Sequence, residues 1–419
     1  MDTPASGPRP PATRLVPPPR RRELRHLTGI RIIAALWVVA FHFEAQYTLL
    51  LPEVGGLVWL TGSRGFLAVD LFFVLSGYIL AYQHHDAFAR GRGDYRGFLA
   101  KRLARIYPLQ ITTLAFLVVL VVATPLGTKI GSQQAYTAWG AVQDVLLIRG
   151  WTGPSQGWNY PAWSLSAEWL AYLLFPVVVL LLAVVARSSR AALVAVIAGA
   201  VVLEAVGSAV LPWADHMPIA PVRVIVAFTA GVALFRLCRD APQRTRNGWL
   251  GGLLLAALIL VTPVLAEGPL VAAVSLASCV AIVGLLATGS GPVVALLGSG
   301  PVECGGRISF SLYMIHGIAL LLSPVRFLGI ETAAALPLIA RVGLAVGQVA
   351  VLLGLSVAAY HFVERPGQLL ILGWTTRRPG RSREVERPSA DGHGHDDARG
   401  ERPQREDEDE AVHDPRHGG

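Results

Sequence analysis

Charge is what this chain has least of. Only 15% of its 419 residues are Asp, Glu, Lys or Arg, while 53% are hydrophobic and the mean hydropathy is +0.51. Soluble domains carry about 25% charged residues, so this balance excludes an ordinary soluble protein and predicts a polytopic membrane protein. Cysteine is nearly as scarce. Cys238, Cys279 and Cys304 lie in or beside apolar segments without CxxC or CxxH spacing, which argues against a disulfide framework or a metal site and for small core residues. The first 26 residues are rich in Pro and Arg and lack an apolar stretch with a small-residue cleavage site. A disordered basic tail before an uncleaved first span is therefore expected, rather than a signal peptide. Neither an internal repeat nor a soluble second domain is expected. The net charge of +8 would suggest nucleic acid in a soluble chain. Here most Lys and Arg fall in loops and tails, as membrane orientation demands, and no nucleic-acid partner is expected.

What the sequence does have is apolar runs long enough to cross a bilayer. They predict an all-α bundle of about ten transmembrane helices, near 29–50, 65–83, 108–125, 163–185, 191–211, 222–238, 249–266, 269–288, 308–323 and 338–361. Residues 1–26 and 371–419 are expected to be charged disordered tails around a membrane domain at 27–370. The C-terminal tail includes the acidic run at 406–410. Alternate inter-span segments, starting from the N-terminus, hold nineteen basic residues against four in the segments between. By the positive-inside rule both termini are cytoplasmic. The longest opposite loop, about 126–162, is rich in Gly, Pro and Trp. Trp151, Trp158 and Trp163 suit either an interfacial belt or an outer platform for a sugar-like molecule.

Several ionisable residues fall inside spans, where charge is costly and faces the bundle interior or a wet cavity. Arg31 and His42 are eleven residues apart in the first span. At about 100° per residue they share a face, roughly 16 Å apart along the axis. In the second, GFLAVDLFFVLSGY, Asp70 is either a helix-dipole partner or a site group, and Gly77 is a packing device. Lys101, Arg102 and Arg105 cluster at helical spacing where the third span begins. They serve either as topology determinants or as a fork for phosphates. Glu168 lies one turn after Ser164 in the fourth span. Glu204 and Arg223 are placed to pair structurally across the fifth and sixth. Ser309, Tyr313 and His316 form one polar stripe at i, i+4, i+7 on the ninth. Past the tenth, Glu364 is placed to hold one of the cytoplasmic cations.

Taken in order, Arg31 with His42, the GFLAVDLFFVLSGY block, KRLARIYP, WSLSAEW, and SFSLYMIH followed by VERP make residues 26–366 resemble the membrane-bound acyltransferase-3 proteins. That family includes O-acetyltransferases of O-antigen, exopolysaccharide and Nod factor, and acyltransferases that decorate macrolide antibiotics. The resemblance implies transfer of an acyl group, commonly acetyl, from cytoplasmic acyl-CoA to a hydroxyl of a glycan or glycosylated small molecule. It implies His42 as catalytic residue supported by Arg31, Arg102 and Arg105 (with Lys101) at the CoA phosphates, and Glu168, Tyr313 and His316 lining the site. Asp70 and Trp163 join the expected substrate contacts, and no metal or resident cofactor is expected. Some members carry an added extracytoplasmic hydrolase domain, which the charged tail after residue 375 does not resemble.

The chemistry is coherent from the residues upward. A hydroxyl attacking a thioester needs a base that titrates near neutrality, and imidazole is suited to it. Direct transfer and an acyl-histidine intermediate both remain open. So does a different class of function, a transporter or flippase, because polar groups within spans mark transport paths too. The Ala-, Arg- and Gly-heavy composition points to a bacterial plasma membrane.

Overall fold

The computed structural model describes residues 24–123, 136–152, 157–210 and 220–376. Of the tails expected at 1–26 and 371–419, residues 1–23 and 377–419 lie outside the described residues, as do 124–135 and 153–156 of the long loop, whereas 371–376 are helical. Ten helices are long and apolar enough to cross a membrane, and no β-strand occurs among the described residues, only an isolated bridge between Arg244 and Gly289. The helices are α1 (Arg25–Leu50), α2 (Ala68–Ala89), α3 (Tyr95–Ala123), α4 (Ala162–Ser188) and α5 (Arg190–Val210). They continue as α6 (Ala220–Cys238), α7 (Thr245–Val261), α8 (Pro269–Ala287), α9 (Gly300–Leu321) and α10 (Leu338–Ala359). A final helix, α11 (Arg365–Thr376), follows a π-helical turn at Tyr360–Glu364.

Glycine and proline set the breaks. Between α7 and α8 the backbone reaches φ +148° at Gly268, a conformation side chains disfavour, and Pro269 then opens α8 with no N–H to leave unpaired. The two apolar runs separated by only Glu267 and Gly268 are thus distinct spans. Before α10 hands over to α11, Pro366 has no N–H to give Phe362 one turn back, and its ring crowds that carbonyl. The wider π turn directly ahead of it accommodates both.

Two close crossings hold the core. A β-carbon on Gly77 would lie 2.1 Å from the Phe228 carbonyl oxygen, and one on Gly231 2.2 Å from that of Val74. So α2 and α6 pack backbone to backbone, as the packing reading of Gly77 requires. Likewise Gly306 of α9 sits against the Thr28 carbonyl of α1, where a β-carbon would be 1.9 Å away. Thr28 beside Gly306 and His42 beside His316 show that α1 and α9 run in the same direction, whereas Arg31 beside Phe72 and Phe41 beside Phe66 show α2 running opposite.

Cys279 is buried in the core as expected. Cys304 is exposed instead, since its position on α9 faces away from α1.

Candidate active site

A cavity of about 400 Å³ opens among α1, α2, α3, α4, α9 and the start of α11. On α2 its lining runs from Val69 through Phe72, Ser76 and Ile79 to Gln83, a depth of about 21 Å at helical rise. One end holds Arg102, Arg105, Arg307 and Gln368. The middle holds Arg31, Glu168, Tyr172, Ser309 and Glu364. The far end is Val69, Phe72, Ser164, Leu165 and Tyr313.

Each polar wall group has an identifiable support. Glu168 accepts hydrogen bonds from Ser76 (2.9 Å) and from the Tyr172 hydroxyl four residues on. The Arg102 guanidinium lies over the Phe98 and Tyr172 rings at 5.8 and 6.0 Å, and Arg105 lies 6.0 Å from the Phe310 centroid. Stacking holds these forks flat without consuming their N–H groups. Arg102 Nε and Arg105 Nη2 are buried with no hydrogen-bond partner among the described residues. Glu364, on the π turn, accepts from Ser311 at 2.6 Å, and the charges acting on it are Arg105 and Arg31. Gly367 brings α11 against Pro108 of α3, where a β-carbon would be 2.5 Å from the proline ring.

The two histidines lie beyond the far end. Tyr313 donates to or accepts from Ser164 at 2.8 Å, and its ring centroid is 5.6 Å from His316. The His316 ring is 4.8 Å from His42, and His42 is 5.1 Å from Tyr160, which is 41% exposed. His42 Nδ1 contacts the Val38 carbonyl at 2.9 Å, and His316 Nδ1 contacts that of Tyr313 at 2.5 Å. A carbonyl only accepts, so each neutral ring carries its proton on Nδ1 and a lone pair on Nε2. Both Nε2 atoms are buried without a partner among the described residues.

Tyr160 is set over this pair by the loop around it. Asn159 donates to the Met314 carbonyl (3.1 Å) and to Thr113 (3.3 Å). Arg149, almost wholly buried, forks onto Asp144 at 2.5 and 3.1 Å and onto the Gly140 carbonyl at 2.6 Å. Burial raises the Tyr160 phenol above the usual tyrosine range, so it stays a neutral donor.

The expected site residues therefore divide. Arg31, Arg102, Arg105, Glu168 and Tyr313 share the cavity, and His42 and His316 form a pair just outside it. Arg31 does not meet His42. Its guanidinium lies 5.9 Å from the Phe72 centroid, inside the cavity, because three turns of helix separate the two positions. Three expected contacts are elsewhere. Asp70 is buried in a bidentate pair with Arg223 (2.7 and 2.9 Å), with Glu204 at 3.7 Å, so its charge is already spent on a structural cluster. Lys101 is exposed, one residue off the cavity-facing side of α3. Trp163 packs on the hydrophobic core one position from Ser164. Sequence reasoning missed Phe72, Tyr172 and Tyr160. Phe72, Ser76, Ile79 and Gln83 share one helical face, a stripe disguised by apolar neighbours all round.

A family model described as an acyltransferase domain matches residues 25–361. The chain belongs to the acyltransferase 3 family. Acyltransferase 3 membership makes it a multi-pass membrane O-acyltransferase. It is 30% identical over 317 residues to acyltransferase MdmB of Streptomyces mycarofaciens, which covers 71% of this chain and 79% of that protein. A 169-residue match at 30% identity covers 38% of this chain and 25% of O-acetyltransferase OatA of Staphylococcus aureus, so the two share only part of their length. Protein 2 in the picA locus of Rhizobium radiobacter is 37% identical over 100 residues, 24% of this chain and 46% of that one. No solved structure matches the chain.

Proposed function

We propose that this acyltransferase takes an acetyl group from cytoplasmic acetyl-CoA and transfers it directly to a hydroxyl of a glycan or glycosylated small molecule, in a bacterial plasma membrane. The observation that carries the donor assignment is that Arg102 Nε and Arg105 Nη2, at one end of the cavity, are buried with no partner among the described residues. Phosphoryl oxygens satisfy such groups in bidentate geometry. The excess of basic residues in alternate loops supports putting that end, and both termini, in the cytoplasm.

In this reading the donor enters at Arg102, Arg105 and Arg307 and extends past Glu168 toward Tyr313. The acceptor approaches from the Tyr160 side. His42 Nε2 removes the hydroxyl proton as the oxygen attacks the thioester carbonyl. The new C–O bond forms, the C–S bond breaks, and the proton passes from His42 to the departing thiolate, leaving an ester and free CoA. Arg31 lies along the donor's path, where its charge favours the developing negative sulfur. His316 lines the same place.

The test is release of free thiol when acetyl-CoA and bacterial envelope glycans or glycosylated metabolites are added to the purified chain in nanodiscs. Acceptor-dependent thiol release with acetyl ester on the acceptor supports the reading. Movement of the acceptor across the bilayer without thiol release would instead indicate a transporter.

A further inference from the structure

The cavity changes character along its length: cationic at the mouth, polar in the middle, apolar at the far end. Two aromatic rings line that far end. Phe72 meets Tyr313 edge to face at 6.2 Å, and the Tyr313 hydroxyl is held on Ser164 at 2.8 Å, linking α2, α9 and α4 into one wall. Phe72 is held on two sides. Phe72 is covered by the Arg31 guanidinium, and behind it lies packed core: Phe72 touches both the main apolar cluster and a second one of Ala35, Val39, Phe43, Leu312, Ile315 and Leu352. Tyr313 borders the cavity on one side and His316 on the other, its ring centroid 5.6 Å from that imidazole, while Phe72 backs onto packed core.

We propose that Phe72, backed by Tyr313, is the residue that limits the length of the acyl group. The proposal rests on the assignment of the cavity to an acyl-CoA donor. With the phosphates at Arg102 and Arg105 and the arm along Ser76, Glu168 and Ser309, the acyl group meets the Phe72–Tyr313 wall. A one- or two-carbon chain ends against it. Each further methylene must displace a ring fixed on two sides, and close-packed surroundings resist this. Removing the Phe72 ring opens space continuous with the channel and directed into apolar core, where a longer chain is favoured.

The experiment is equilibrium binding of acetyl-CoA and hexanoyl-CoA to the full chain in nanodiscs, read as the ratio of their affinities. This ratio does not depend on the fraction of protein that is active. The native chain should favour acetyl-CoA by about tenfold or more, as for other pockets that discriminate by chain length. Phe72→Ala should bring the ratio to about one or invert it, and the milder Phe72→Leu should fall between. Equal binding of both thioesters by the native chain, or a ratio unmoved in both variants, would overturn the role of Phe72 while leaving the donor assignment intact. If the native chain binds neither thioester nor free CoA, the donor assignment itself is wrong and the wall proposal falls with it.

Discussion

His42 and His316 stand ring to ring, 4.8 Å apart, each with Nδ1 on a carbonyl of its own helix and each with Nε2 unpartnered among the described residues. Among the described residues the hydrogen-bond partner of His42 is the Val38 carbonyl of its own helix, not a carboxylate. The helix backbone therefore does the orienting that a carboxylate does in a Ser-His-Asp triad. His42→Ala should cut acyl transfer by about 10²- to 10⁴-fold with donor affinity kept. His316→Ala should cost less, and the double variant little more than His42→Ala alone. Thiol-release kinetics check this, and full activity in His42→Ala would remove the base assignment.

The guanidinium pair makes a separate prediction. Arg102→Ala and Arg105→Ala should each raise the donor's apparent KM by about 10- to 100-fold, the equivalent of a charge-assisted hydrogen bond of about 1.5–3 kcal/mol. Arg102→Lys should recover only part of it, because an ammonium neither stacks flat nor forks. The titration to run is rate against acetyl-CoA at saturating acceptor. A change confined to acceptor KM would contradict the donor site.

Asp70 and Arg223 predict a loss of stability rather than of binding. Both side chains are nearly fully buried, so Arg223→Ala strands carboxylates in the core and should cost about 3–5 kcal/mol. Glu204→Gln should cost less, since Glu204 stands off at 3.7 Å. Thermal unfolding monitored by size-exclusion chromatography gives the order. An Asp70→Asn variant with a lowered Tm but unchanged KM for both substrates separates this structural role from the substrate contact expected at Asp70.

The α2–α6 crossing is tested by its glycines. Gly77→Ala drives a methyl into the Phe228 carbonyl and should destabilise the bundle by about 1–3 kcal/mol or more. Gly199→Ala, where nothing lies within 4 Å, should be near neutral. Comparable folded yields for the two would show that the crossing tolerates separation.

Much of the molecule was readable from residue order. Ten spans and their breaks follow from apolar runs and from Gly-Pro punctuation, because the bilayer demands helices of a set length and local chemistry ends them. The family is legible because its motifs are short, local and ordered: Arg31 and His42 within one helix, Arg102 and Arg105 within one turn, Ser309 to His316 on one stripe. Glu204 and Arg223 were expected to pair, and they lie 3.7 Å apart, but Asp70 takes the bidentate face of the guanidinium.

Partnership across helices was not readable, and it decides which polar group is used for structure and which for chemistry. Asp70 and Glu168 look alike in sequence, each a lone carboxylate in an apolar span. Arg223 of α6 reaches Asp70 and neutralises it in the core, while Glu168 is held by Ser76 and Tyr172 on a cavity wall. Likewise His42 gained a second imidazole only when α9 came to lie parallel to α1. Side-chain periodicity determines the face a residue occupies. Which neighbour that face meets depends on helix crossings, and here those depend on glycines such as Gly77, Gly231 and Gly306 that let backbones touch.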